Sequence, residues 1–197
     1  ECYSFTAKVG EEETFTIAVS IKGGHVVFMN SNRDIINESV SSEDAVTKGK
    51  EFLESKEFKN MKATYYMNNA GVLTVNYAYE QDGITMYPDL VKVKIALDNG
   101  EILGIESTGY LNCHRDTREL SDAKITLEEA RSKVNQNLNV SSSGLAVIPT
   151  EWGTEVLCYE FKGNTAENDF IVYINAETGE EEDILMIINT PEGTLTE

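Results

Sequence analysis

Histidine is nearly absent from this 197-residue chain: His25 and His114 are the only two. That excludes a multi-histidine metal centre. Cysteine is also scarce. Cys2, Cys113 and Cys158 are too few and too scattered for a disulfide framework or a zinc site. An odd count leaves at least one thiol free or bonded to another chain. Positive charge is short: 16 Lys and Arg stand against 34 Asp and Glu, for a net charge of −18. This sign argues against nucleic acid, whose phosphates need clustered cations, and against docking on anionic lipid. It confers solubility and suits a basic partner. No run of 18 apolar residues occurs, so no membrane-spanning helix is expected. There is no GxGxxG, P-loop, GxSxG or HExxH motif. The chain opens at Glu1 with neither an initiator Met nor a signal sequence, which predicts a fragment or processed form with any anchor upstream.

What is present is a repeated hairpin. In residues 91–105, Val91, Val93, Ile95 and Leu97 alternate with Lys92, Lys94, Ala96 and Asp98, the period-2 pattern of a strand with one dry face. Asp98-Asn99-Gly100 supplies the turn, because Asp and Asn tolerate left-handed backbone and Gly adopts it without steric cost. Glu101–Ile105 returns. The same unit appears in residues 170–188, turning at Glu177-Thr178-Gly179, and in residues 15–29, turning at Gly23-Gly24. The turn glycines Gly24, Gly100 and Gly179 lie 76 and 79 residues apart, a near-constant period that predicts repeated domains.

Residues 3–9, 15–22 and 25–30 read as strands with no helix before them. Residues 30–40 are polar and read as a linker. Residues 41–57 read as a helix: Ser41 can cap it, and Ala45, Val46, Gly49, Phe52 and Leu53 fall on one face. Strands are expected at 61–67, 72–80 and 86–97, with turns at Asn68–Gly71 and Gln81-Asp82-Gly83. Residues 111–124 read as a second linker. Thr126 with Glu129 then forms a capping box, and Leu127, Ala130, Val134 and Leu138 make an apolar helix face. Strands are expected at 145–149, 155–161, 170–175 and 183–188. The last carries five apolar residues in succession and is expected to pack against another domain.

Little chemistry is on offer. Cys113-His114 suggests a nucleophile and base, but neighbours on an extended chain point to opposite faces. Two linker residues at the end of a strand is the plainer reading. Carboxylate pairs are too abundant to discriminate a glycosidase. Glu180-Glu181-Glu182-Asp183 lacks the alternating ligands and closing Glu of a calcium loop and reads as a wet turn. Trp152 and the tyrosines read as core and cross-strand packing, with Tyr65-Tyr66 or Tyr77/Tyr79 as the faces that could stack on a ligand. No catalytic, cofactor-binding or metal-binding residue is assigned. Repeated small domains of this kind usually bind.

The run Thr126-Leu127-Glu128-Glu129-Ala130, followed by strands ending in Val172-Tyr173-Ile174-Asn175-Ala176-Glu177-Thr178-Gly179-Glu180, resembles a PepSY domain, marked by a T-x-E-E-A helix start and a V-x-I-x-A-x-T-G-E hairpin. Ser42-Glu43-Asp44-Ala45 with Ile95–Glu101 resembles a second copy, and residues 15–29 the tail of a third. The order of the three and the ending Thr190-Pro191-Glu192-Gly193-Thr194-Leu195-Thr196 resemble the spore germination members of that family. The resulting expectation is an α+β chain of three consecutive PepSY-like modules, each an antiparallel sheet packed by one helix: residues 1–40 (strands only, the helix lacking), 41–118 and 119–197. The resemblance implies an upstream membrane anchor and helical region, and residence in the spore on the outer side of the inner membrane. It also implies partnership with the cortex-lytic enzyme SleB, which the chain would bind, stabilise and inhibit during dormancy. It supplies no catalytic residues and no cofactor. The alternatives are a propeptide-like protease inhibitor, a peptidoglycan-binding module and, least favoured, an enzyme.

Overall fold

A computed structural model describes residues 1–10, 13–166, 168–190 and 193–196. The chain divides into two compact units: Glu1–Tyr79 with Asp89–His114, and Glu80–Pro88 with Arg115–Glu197.

In the first unit, β1 (Cys2–Val9), β2 (Glu13–Ser20) and β3 (Val26–Ser31) form an antiparallel meander. Helix α1 (Ser42–Ser55) begins as its sequence predicts. Ser41 Oγ accepts from the Asp44 N–H at 3.1 Å, satisfying one of the orphan donors of the first turn. Its buried residues Ala45, Gly49 and Leu53 recur every four positions and so form one face. Strands β4 (Met61–Asn69), β5 (Val72–Gln81), β6 (Ile84–Ala96) and β7 (Ile102–Glu106) pair in antiparallel order, apart from the tip of the β5–β6 hairpin, which belongs to the second unit. Gly100 sits at φ +77°, as the Asp98-Asn99-Gly100 turn requires. β7 then pairs with β3 through Phe28↔Glu106 and Met29↔Ile105. Helix α2 (Thr108–Cys113) closes the unit.

The stretch between β3 and α1, read as a linker, carries no regular structure but is tied down. The Asn32 N–H donates to Thr14 O at 3.1 Å, and the Ser39 and Val40 N–H groups donate to Leu97 O at 2.7 and 2.8 Å. Arg33 donates to both Asp98 oxygens, at 2.7 and 3.0 Å. The Arg33 guanidinium holds the Asp98 carboxyl below its usual range. A carboxylate with a depressed native pKa stabilises the fold above its unfolded pKa, near 3.9, and loses that contribution as pH falls through the native value. Asp98→Asn is therefore expected to cost about 1 kcal/mol at pH 7 and distinctly less at pH 3. Urea midpoints at the two pH values check this, and an equal penalty at both would refute it.

In the second unit, α3 (Leu127–Lys133) carries the complete Thr126–Glu129 capping box. The helix is shorter than its apolar spacing predicts. Val134 and Leu138 are buried, but Val134 is already extended, and Asn135 Oδ1 accepts the Asn137 N–H at 2.9 Å in a local turn. Strands β8 (Asn139–Pro149), β9 (Glu155–Asn164), β10 (Asp169–Asn175), β11 (Glu181–Thr190) and β12 (Gly193–Thr196) pair antiparallel in sequence. The expectation of purely antiparallel sheets fails at one place: Thr85 and Met86 pair parallel with Ala146 and Val147. Both faces of this sheet carry cores. One holds Ala130, Phe161, Val172 and Ile174; the other holds Ala146, Cys158, Ile171 and Tyr173. The final apolar run is not buried throughout. Leu185 and Ile187 pack half-buried on the second core while Ile184 remains 46% exposed, as alternation on a paired strand dictates. The Ile188 side chain lies outside the described residues.

Candidate interaction groove

Residues 115–122, read from composition as part of a solvated linker, line one wall of a groove of about 630 Å³ in the second unit. Arg115, Arg118 and Ser121 stand on that wall; Glu155, Leu157 and Asn175 come from β9 and β10. Arg118 fixes the wall in place. Only 5% of it is exposed. Its Nε donates to Glu155 Oε2 at 3.0 Å and its Nη2 to Glu155 Oε1 at 3.1 Å. Two parallel charge-assisted bonds of this kind offset much of the desolvation of a buried guanidinium. The Arg118 backbone is held as well: its N–H donates to Gln81 Oε1 at 2.8 Å, and Gln81 Nε2 donates to Arg118 O at 2.9 Å.

The far wall is set by Asn175. Its Oδ1 accepts the N–H groups of Glu177 and Thr178 at 2.7 and 3.0 Å, and its Nδ2 donates to Glu182 Oε1 at 2.6 Å. The acidic run 180–183, read as a wet turn, instead opens β11: Glu181, Glu182 and Asp183 are its first residues, and the turn lies at 176–178. Among the described residues, no group of three His, Cys, Asp or Glu is placed to hold a metal ion. Glu177 pairs with Lys124 and Glu155 with Arg118, so both of these groove carboxylates are engaged by cations.

At the tip of the β8–β9 hairpin, the Gly153 N–H donates to Thr150 O at 3.0 Å, and the Thr150 N–H donates to Thr154 O at 2.8 Å. Trp152, at the apex of this closed turn, is 89% exposed. The expectation that it packs in the core is wrong. At the tip of a hairpin it has no cross-strand neighbour to pack on, and nothing in a one-letter code reports that. Trp152 precedes Glu155 by three residues in sequence and does not itself line the groove.

The other candidates fall elsewhere. Tyr77 and Tyr79 are buried, and burial pushes the Tyr77 hydroxyl pKa well up; Tyr66 is exposed and Tyr65 half-buried. Cys113 and His114 are not linker residues at a strand end. Cys113 ends α2, and His114 Nδ1 lies 2.7 Å from Asp89 Oδ2. The His114 ring stacks on Tyr110 at 4.1 Å and meets Tyr79 edge-on. Burial, then the charges of Glu182 and Asp183, push the Cys158 thiol up to about 12, which makes it a packing group rather than a nucleophile. Sequence reading missed Arg118 altogether, since an arginine among carboxylates in a polar stretch carries no burial signal. What the groove assembles is recognition chemistry: fixed donors and acceptors and charges of both signs.

Comparison with known proteins places this geometry. The profile of the family described as YpeB sporulation, PepSY1 and PepSY2 domains matches residues 1–121, and that of the peptidase propeptide and YPEB domain matches residues 124–185. The chain belongs to the YpeB family. The sporulation protein YpeB of Halalkalibacterium halodurans is 37% identical over 163 residues, which is 83% of this chain and 36% of that protein. YpeB of Bacillus subtilis is 34% identical over 175 residues, 87% of this chain and 38% of that protein. The chain thus spans well under half the length of these YpeB relatives. The Bacillus megaterium YpeB C-terminal domain superimposes with a TM-score of 0.86 at 30% identity, covering 95% of this chain and 84% of that one. The mostly-sheet fold with a few helices is therefore that of the YpeB C-terminal domain, and the PepSY resemblance read from Thr126–Ala130 and Val172–Glu180 holds.

Proposed function

We propose that this YpeB-family chain acts in spore germination as a non-catalytic partner of the cortex-lytic enzyme SleB, which it binds, stabilises and holds inactive during dormancy. In this reading it works on the outer side of the spore inner membrane, anchored through a segment upstream. It is organised as three PepSY-like modules, residues 1–40, 41–118 and 119–197, the first incomplete. The observation that carries the reading is the polar groove walled by the Arg118–Glu155 pair, together with Trp152 exposed at the tip of the β8–β9 hairpin. Interface energies concentrate in a few aromatic and Arg anchors, and Trp leads among them. A groove built from paired side chains also gives up little entropy on binding.

Titration calorimetry against purified SleB tests this. The wild-type chain is expected to give a saturable isotherm, and Trp152→Ala is expected to weaken it by about thirtyfold, near 2 kcal/mol. No heat with either this chain or the full-length protein, both folded, would refute the partnership. A complex in which the hydrolase keeps full activity would remove the inhibitory half. Binding to enzyme-free cortex peptidoglycan that is lost in Trp152→Ala would reassign the groove to glycan.

A further inference from the structure

The sheet of the first unit has a second face, turned away from α1, and it carries a lysine with no acidic partner. A Cβ added at Gly49 of α1 would lie 3.3 Å from Ile95 Cδ1, so the buried Val91, Val93 and Ile95 of β6 share the helix face. Lys92 and Lys94 alternate with them and stand on the opposite side. Lys94 pairs across the sheet with Gly104 on β7, and Gly104 with Asn30 on β3. Glycine leaves the middle of this row bare. A Cβ at Gly104 would meet Met29 O at 2.7 Å and Lys94 Cδ at 3.2 Å. The lysine stem therefore leans over the glycine, and its Nζ donates to Asn30 Oδ1 at 2.6 Å.

That bond uses one of the three donors of the ammonium. Lys92 pairs with Glu106 at 3.5 Å, but among the described residues Lys94 pairs with no carboxylate. In a chain with 34 acidic and 16 basic side chains, this is the reverse of what composition favours. Lys94 is half-buried, so a neutral amide alone offsets only part of its lost hydration. It opens on a cavity of about 520 Å³, within the range of small-molecule sites. Met67 and Thr74, paired across β4 and β5, line this cavity with Val72 and Ile35. Among the described residues the Thr74 hydroxyl has no hydrogen-bond partner. Arg33, also on the wall, is already neutralised by Asp98. Asp34 lines the cavity too; it is exposed, where water screens its charge, but it disfavours a ligand with two negative charges.

We propose that this cavity binds a small monocarboxylate with an apolar body. The carboxylate accepts from Lys94 Nζ and from the Thr74 hydroxyl, and supplies the counterion that the lysine lacks. A charge-assisted bond in a partly desolvated site is stronger than one at the open surface. The apolar body lies against Met67, Val72 and Ile35, which gives the site a preference that a bare cation would not have. The site is built within the first unit and is independent of the Arg118–Glu155 groove and of SleB.

NMR of the chain labelled with carbon-13 at its five methionine methyl groups tests this, with benzoate as the probe. Benzoate is expected to shift the Met67 signal saturably, and neutral benzamide to bind about tenfold more weakly. Lys94→Gln is expected to weaken benzoate by about tenfold, and Thr74→Val by about threefold, with the Met61 and Met86 signals in place as a check on folding. A Met67 signal that benzoate leaves unmoved would overturn the proposal. Equal affinity for benzoate and benzamide would overturn it, because the charge would then contribute nothing. Sulfate binding as tightly as benzoate would also overturn it, since the apolar wall would then select nothing. If Lys94→Gln loses the folded spectrum, Thr74→Val decides: unchanged benzoate affinity in that variant rejects the site as drawn.

Discussion

Asp89→Ala is expected to lower stability by about 3 kcal/mol, and Asp89→Asn by about 1 kcal/mol. Asp89 is fully buried on β6, and its carboxylate lies 2.7 Å from His114 Nδ1. A carboxylate persists in such a place only where polar partners replace water. Alanine removes the acceptor, opens a void and leaves the imidazole, stacked on Tyr110, without that bond. Asparagine keeps the shape and one acceptor oxygen. The loss also reaches α2, because the His114 N–H donates to Tyr110 O at 2.8 Å and closes that helix. Urea denaturation at pH 7 measures both variants. A midpoint for Asp89→Ala equal to that of the wild type would show that the Asp89–His114 pair adds nothing to the fold.

Gly49→Ala is expected to destabilise by about 1–3 kcal/mol. The sign is the point. In the middle of an exposed helix the same change gains about 1 kcal/mol, because Gly gives up more backbone freedom than Ala. Here the new Cβ would sit 2.3 Å from Tyr77 Oη and 3.3 Å from Ile95 Cδ1. Tyr77 cannot swing aside cheaply, since it is fully buried and its hydroxyl donates to Val46 O at 2.7 Å. Pairing Gly49→Ala with Tyr77→Phe removes the nearest atom, so the double variant is expected to lose less than the sum of the singles. Thermal midpoints of the four proteins close the cycle. A stabilised Gly49→Ala would refute the prediction and show that Tyr77 and Ile95 yield to the new methyl group without cost.

The local signals were readable. Asp98-Asn99-Gly100 and Glu177-Thr178-Gly179 turn as their chemistry requires, with Gly100 and Gly179 at φ +77° and +75°. Ser41 and Thr126 cap the helices they precede. The buried face of α1 follows from its four-residue spacing. Errors appear where a residue's partner lies far along the chain. Arg118 is 37 positions from both Gln81 and Glu155, and His114 is 25 from Asp89. Polar composition therefore read as linker at residues 111–124, although part of that stretch is buried. It did so again at residues 30–40, where Arg33 reaches Asp98 from 65 positions away. Trp152 failed the opposite way: hydrophobic character predicted burial, and its place on a hairpin tip prevented it.

Residue order alone thus specified the strands, the turns between them, the caps of α1 and α3 and the repeat that identifies the family. Each of these is a contest between backbone conformations within a few residues, and side-chain chemistry resolves it on the spot. The pairing of β3 with β7, the parallel Thr85–Ala146 contact, the buried Arg118–Glu155 pair and the exposure of Trp152 and Phe5 were set only by the assembled fold. They depend on which surfaces meet after the chain has closed long loops. A residue's hydrophobicity states what its burial is worth, but only the neighbours brought to it determine whether burial occurs.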